Sequence, residues 1–256
     1  MVSNTSPKCL ALVLFSLIIV IAAGCKARTD NTNTAETSSS SSAPEASTGG
    51  VEKVKPAPGT GNVQGKVLYN SNPAENIEVK LCETFNRFLG GCGGQTYTAR
   101  TDKDGDYVIT NVPPKTYEAL IAQVFDTDSY VFATTGIGIS AAKYEVTADK
   151  TLFIRPTNLF KSDLKIVNPK AAAKVSSQGL QLKWEAYPDA AYYKFSIYAD
   201  DSNVTSPYIN IRVDGTSFDV DKPLPKGTYR WQVDAYNSDD RKLSESGDDI
   251  KFTITE

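Results

Sequence analysis

The chain has no histidine, and that absence narrows its chemistry before any motif is read. Imidazole is the commonest general base and metal ligand, so Ser-His-Asp and Cys-His catalysis are excluded, together with every zinc site built on imidazole. Carboxylates, thiols and aromatic rings remain. Asp102, Asp104 and Asp106, alternating around Gly105, have the types and spacing of the start of a calcium loop, in which alternate carboxylates on a tight turn converge on a hard cation. The bidentate Glu of an EF-hand is missing, its place taken by Pro113, and Asp-Gly between two strands is itself a hairpin signal. A plain turn and a weak calcium site therefore both stand. The acidic pairs Asp200-Asp201, Asp239-Asp240 and Asp248-Asp249 have the residue type of two-carboxylate glycoside hydrolysis, but they fall at turns, where acids are solvated. Phe85, Phe88 and Leu89 lie on a Gly-rich segment, Glu83 to Gly94. They either present a contact surface or fold back over the end of a core. Tyr192, Tyr198 and Tyr236 fall on the polar register of their runs, where they would form an outward patch able to stack on a sugar ring or anchor a partner. Scattered surface tyrosines are also common.

The N-terminus fixes an address. Lys8 and the free amino group precede an apolar run, Leu10 to Ala23, interrupted only by Ser16, which is the pattern of an export signal. The run is shorter than the roughly 20 apolar residues of a spanning helix. Ala22-Ala23-Gly24 directly before Cys25 resembles the lipobox of bacterial lipoproteins. That resemblance implies removal of residues 1–24, acylation of Cys25 and anchoring by several acyl chains at about 0.8 kcal/mol per buried methylene. Lys26 and Ala27 follow, with no Asp in the next position, and similarity to sorted lipoproteins then implies the outer membrane in a diderm cell. With Cys9 removed and Cys25 acylated, Cys82 and Cys92 are left as an even pair in an exported chain, which suggests a disulfide. A redox or metal pair is the alternative, although the spacing is too long for Cys-x-x-Cys.

The elements that must position these residues are strands. Residues 25–61 come first and are Ser, Thr, Asn, Ala, Glu, Gly and Pro with almost nothing large and apolar. Such a segment cannot offset its own ordering entropy, so it reads as a tether with an end-to-end distance of roughly 30 Å. From Asn62 short alternating runs follow, near Val63 to Tyr69, Ile77 to Cys82, Gln95 to Thr101, Tyr107 to Thr110, Tyr117 to Phe125, Tyr130 to Ala133, Tyr144 to Val146 and Thr151 to Arg155. Period-two alternation with turn residues between the runs predicts a β-sandwich.

Gly65-Lys66-Val67, Asn76 to Leu81, the stretch Thr101-Asp102-Lys103-Asp104-Gly105-Asp106-Tyr107-Val108-Ile109, and Asn111-Val112-Pro113-Pro114 with Tyr117 resemble the carboxypeptidase regulatory-like domain. That family is a small transthyretin-like sandwich related to carbohydrate-binding-like folds. The resemblance places the domain at 62–160 and implies a non-catalytic appendage. A second pattern begins near Asp163, with inward alternation at Leu180, Leu182, Trp184, then Tyr193, Phe195, Ile197, and later Tyr229, Trp231, Val233, Ala235. The run Leu224 to Asn237 together with Trp184 resembles a fibronectin type III domain spanning 163–256. The resemblance makes Trp184 the core tryptophan and Tyr229 the corner tyrosine whose hydroxyl bonds back to the preceding loop. No Arg-Gly-Asp occurs, so integrin-type adhesion has no support.

The expectation is an all-β chain of two tandem β-sandwiches, transthyretin-like and then Ig-like, behind a signal peptide and tether. A formal charge of -3 over 256 residues with no basic run excludes a nucleic-acid surface. The function expected is that of a non-enzymatic envelope lipoprotein, membrane-bound through its lipid and needing no cofactor, that displays binding or structural modules for protein assembly or adhesion. Binding of a carbohydrate or polysaccharide is the alternative.

Overall fold

The computed structural model describes residues 49–88, 91–135, 140–247 and 250–255. The signal sequence, Cys25, Leu89 and the pair Asp248-Asp249 lie outside them. All regular elements among the described residues are strands.

The strand Gly61–Tyr69 organises the first sandwich. It runs antiparallel to Asp106–Val112 and Asn72–Pro73, and parallel to Thr151–Phe153 and Thr157–Asn158. The facing sheet has four antiparallel strands in the order Gly91–Arg100, Glu78–Asn86, Ala119–Gln123, Tyr130–Phe132. Between the sheets lie Val63, Val67, Val79, Leu81, Tyr107, Ile109, Leu120 and Ala122, all buried. The period of two carries this: Val79 and Leu81 turn inward while Lys80 turns outward, so one strand offers an apolar face to the core and a polar face to water. Gly105 closes the turn between the two sheets at a φ of 73°, and a Cβ there would stand 2.5 Å from the Val67 carbonyl oxygen. Only glycine meets both demands.

The second sandwich sets Ile166–Asn168, Gln181–Trp184 and Ser217–Asp219 against a six-stranded sheet. Along that sheet the order is Ala173–Val175, Ile250–Ile254, Gly227–Tyr236, Tyr192–Ala199, Ile211–Val213, with Lys242–Glu245 beside Gly227–Tyr236. Tyr229, Trp231, Val233 and Ala235 alternate inward over Phe252, Ile254, Phe195 and Leu182. As in the first sandwich, the closing strand runs parallel to an early one: Ala173 pairs with Phe252 and Val175 with Ile254, after Ile166–Asn168 has opened the sandwich in the facing sheet.

The strand readings from sequence match these elements to within a few residues, with instructive departures. Tyr117 to Phe125 is broken into Thr116–Tyr117 and Ala119–Gln123, because Tyr117 leaves the main sheet to pair with Tyr144. Ala173–Val175 is only three residues long and Lys242–Glu245 does not alternate, so neither stands out in the sequence. Residues Val51 to Thr60, read as the end of the tether, lie against the first sandwich. Gln64 donates to the Val51 carbonyl, Asn62 donates to the Val54 carbonyl, and Lys53 pairs with Asp106 at 2.7 Å.

The two sandwiches meet through the connecting segment. Lys161 bridges in parallel to Ser244, and its N–H donates to the Leu243 carbonyl at 2.9 Å. Asn237 is buried, donates to Asn70 and Ser71 of the first sandwich, and accepts from the backbone of Asp239 and Arg241. The Lys161 ammonium lies over the rings of Tyr69 and Phe125.

Candidate functional site

Cys82 and Cys92 are joined in a disulfide, with Cα atoms 5.2 Å apart. The segment between them is not the open loop expected from its glycines. Glu78–Asn86 and Gly91–Arg100 extend the ladder through it, pairing Thr84 with Gly93 and Phe85 with Cys92, with a register shift after Cys82. The result is a long hairpin with Arg87 and Phe88 next to its tip. Glycine favours this in physical terms. A Cβ at Gly93 would stand 2.7 Å from the Thr84 hydroxyl, and one at Gly91 would crowd the Tyr130 hydroxyl at 3.2 Å.

The two phenylalanines divide. Phe85 is half-buried, its ring 4.9 Å from Phe132 and 6.0 Å from Tyr130, in a small apolar cluster on the outer face of the sheet with Cys82, Ala119 and Ile121. Its N–H donates to the Glu118 carboxylate at 2.9 Å. Phe88 is 77% exposed, with the Arg87 guanidinium 5.1 Å from its ring centroid. At the hairpin base Glu83 accepts from the Lys115 ammonium and the Gln95 N–H, and these hold its carboxyl below the ordinary range. The pair Phe85 and Phe88 was legible from sequence; the supporting rings of Tyr130 and Phe132 were not, since they arrive from a strand some 40 residues later.

The carboxylates of Asp102, Asp104 and Asp106 each have a partner within the protein. One oxygen of Asp102 accepts from the backbone N–H of Asp106 and of Asp104, which pull its carboxyl below the ordinary value with help from Lys53. Asp106 faces Lys53 at 2.7 Å and Lys66 at 3.3 Å, and Asp104 turns to Lys103. Among the described residues no group of three or more acids, cysteines or histidines could hold a metal. The motif is the turn that carries the chain from one sheet to the other.

The three tyrosines do not share one exposed patch, since Tyr192 is buried, Tyr236 half-buried and Tyr198 exposed. Tyr192 is 3% exposed, stacked on Tyr236 with centroids 5.1 Å apart and planes within 2°. Arg212 covers it at 3.9 Å and its hydroxyl donates to Asp240. Burial, then the Asp240 bond, pushes its hydroxyl pKa up. Tyr236 is half-buried in the same stack. Tyr198 is 38% exposed and stands six residues along the strand from Tyr192, opposite Arg230. The long cationic side chains of Lys194 and Arg212 cover the Tyr192 and Tyr236 rings, an effect that the polar register alone does not reveal. The turn acids are similarly engaged: Asp200 pairs with Arg230 and Lys251, and Asp239 accepts from Ser71.

The corner tyrosine is where the second resemblance places it. The Tyr229 hydroxyl donates to the Pro225 carbonyl at 2.7 Å, and the first sandwich repeats the device with Tyr117 donating to Pro113 at 3.0 Å. Trp184 is buried in the second core, 6.4 Å from Trp231.

No protein-family model matches the chain, and no curated protein does. Among solved structures, the FN1-FN3 domains of chicken CNTN1 match over 79% of this chain and 69% of that one at 14% identity and a TM-score of 0.28. The fibronectin(III)-like modules of Clostridium thermocellum CbhA match over 78% and 91% at 15% identity and a TM-score of 0.29. The major pilin SpaD of Corynebacterium diphtheriae matches over 75% and 64% at 11% identity and a TM-score of 0.25. At similarity this slight the neighbours decide neither activity nor partner.

Proposed function

We propose that this chain is a non-enzymatic bacterial envelope lipoprotein, anchored through acylated Cys25, whose two β-sandwiches serve as an accessory in assembly or adhesion. The first is taken as carboxypeptidase regulatory-like and the second as fibronectin type III-like. The anchor rests on Ala22-Ala23-Gly24-Cys25 behind the apolar run. The observation that carries the contact role is Phe88, an aromatic side chain 77% exposed beside the tip of a disulfide-braced hairpin. A large exposed apolar group held on a rigid support loses little entropy on binding and suits a partner's pocket.

Two measurements test this. Wild type partitions into the detergent phase of an extract and Cys25→Ser into the aqueous phase; a Cys25→Ser chain that stays with detergent removes the anchor. A photoreactive residue at position 88 is expected to trap one envelope protein in stoichiometric yield, while the same probe at Lys165, on the second sandwich, traps none. Equal labelling from both positions defeats the contact role and leaves a passive spacer.

A further inference from the structure

The outer face of the four-stranded sheet holds a groove of about 490 Å3 that the hairpin contact does not use. Its size falls within the range of small-ligand sites. Three ladders place its lining. Thr98 lies opposite Lys80 and Lys80 opposite Ile121; Gln123 lies opposite Tyr130; Thr96 lies opposite Cys82. Because partners in register share a face of a sheet, Thr96, Thr98, Lys80, Ile121, Gln123 and Tyr130 form one continuous surface, joined by Glu78, Asp128 and Ser129.

Three properties narrow the ligand. First, charge: the one ammonium in the lining, Lys80, is paired with Glu78 at 2.7 Å, and Asp128 adds a further carboxylate. No positive surplus remains for phosphate, sulfate or uronate. Second, polarity: hydroxyls from Thr96, Thr98 and Ser129 and the carboxamide of Gln123 offer both donors and acceptors. The Gln123 amide nitrogen donates to the Thr127 carbonyl at 2.7 Å, which fixes the orientation of the group. Third, shape: Tyr130 forms an aromatic wall braced by Phe85 and Phe132 next to a floor of Ile121, so one side of the groove is apolar. An uncharged ligand with hydroxyls around its rim and an apolar ring face meets all three conditions. An extended peptide fits less well, since the groove runs over the sheet face rather than along an open edge where main-chain pairing would hold it.

We propose that this face binds an uncharged saccharide, one pyranose ring lying on Tyr130 with its hydroxyls bonded to Gln123, Thr96 and Thr98. The site is independent of the Phe88 contact and of the anchor. It also differs from the tyrosines of the second sandwich, of which Tyr192 is buried and Tyr198 exposed.

The test is affinity electrophoresis of the purified protein in native gels containing laminarin, dextran, mannan or xylan, with alginate as the anionic control. At least one neutral polymer retards the wild type and alginate does not. Tyr130→Ala and Gln123→Leu each weaken that retardation at least tenfold with melting temperature unchanged for Gln123→Leu, whereas Tyr198→Ala and Phe88→Ala leave it intact. Thr98→Val guards against misfolding of the Tyr130 variant and is expected to weaken binding as well. Retardation by alginate alone, by no polymer, or undiminished in both Gln123→Leu and Thr98→Val overturns the proposal, as does competition by an unstructured peptide in place of a neutral oligosaccharide.

Discussion

At the scale of the residue, the two corner tyrosines are the sharpest test of what holds each sandwich together. Tyr229 and Tyr117 each donate to a proline carbonyl four residues back, tying the start of a strand to the loop that feeds it. Removing the hydroxyl leaves that carbonyl without its protein donor, so Tyr229→Phe and Tyr117→Phe are each expected to cost about 1–2 kcal/mol. The measurement is the urea midpoint at unchanged slope, with the half-exposed Tyr198→Phe shifting neither. A neutral Tyr229→Phe would remove the bond from the list of stabilising contacts. Tyr229 was legible because its partner is local and the motif has a fixed offset. Tyr192 was not: its register points outward, and it is covered by the stacked Tyr236 and by Lys194 and Arg212, the last arriving from a neighbouring strand. Side chains that close over a neighbour leave no periodic trace.

At the scale of the element, the hairpin Glu78–Asn86 and Gly91–Arg100 shows how glycine can mislead. Gly91, Gly93 and Gly94 read as loop, yet they serve as the close-packed side of a ladder where Tyr130, Thr84 and Glu83 approach. The cysteine pair was legible from parity, and its position across two paired strands was not. With Cys82 and Cys92 ten residues apart, the closed loop contributes about 3 kcal/mol in the chain-entropy model. The double variant Cys82→Ala, Cys92→Ala is expected to lose up to that amount and to speed hydrogen exchange at Thr84 and Phe85 more than at Val79 and Leu81. Uniform acceleration along the whole strand would show that the bridge braces the sheet rather than the tip.

At the scale of the whole molecule, the junction was invisible in sequence, because Asn237, Asn70 and Ser71 are polar residues of ordinary turns far apart in the chain. Their contact makes Asn237 a buried hub, and Asn237→Ala is expected to cost about 1–3 kcal/mol. The same change should split a single thermal transition into two; a transition that stays single would show that the Lys161 ladder suffices. Alkaline pH gives a second readout. Burial raises the hydroxyl pKa of Tyr107 and Tyr144 above the ordinary 10.0, and burial with the Asp234 carboxylate does so for Tyr236. Burial pulls Lys242 down, and the Asp234 and Glu245 carboxylates outweigh it, leaving the amine above its ordinary 10.5. Groups whose folded pKa is raised contribute stability that is complete below the unfolded pKa and is lost as pH climbs past it. Stability should therefore hold level to near pH 10 and fall beyond it, with Lys242→Met flattening part of the fall. A chain equally stable at pH 9 and pH 11.5 would contradict these burials.

The parallel pairing of Gly61–Tyr69 with Thr151–Phe153 and Thr157–Asn158, and of Ala173–Val175 with Ile250–Ile254, has a mechanical meaning. A pull between Gly61 and Asn158, or between Ala173 and Ile254, slides parallel neighbours past one another. Every rung of the ladder then carries tension at once, and none can be peeled open singly. Pulled along that line, each sandwich would lengthen little until its own clamp let go all at once.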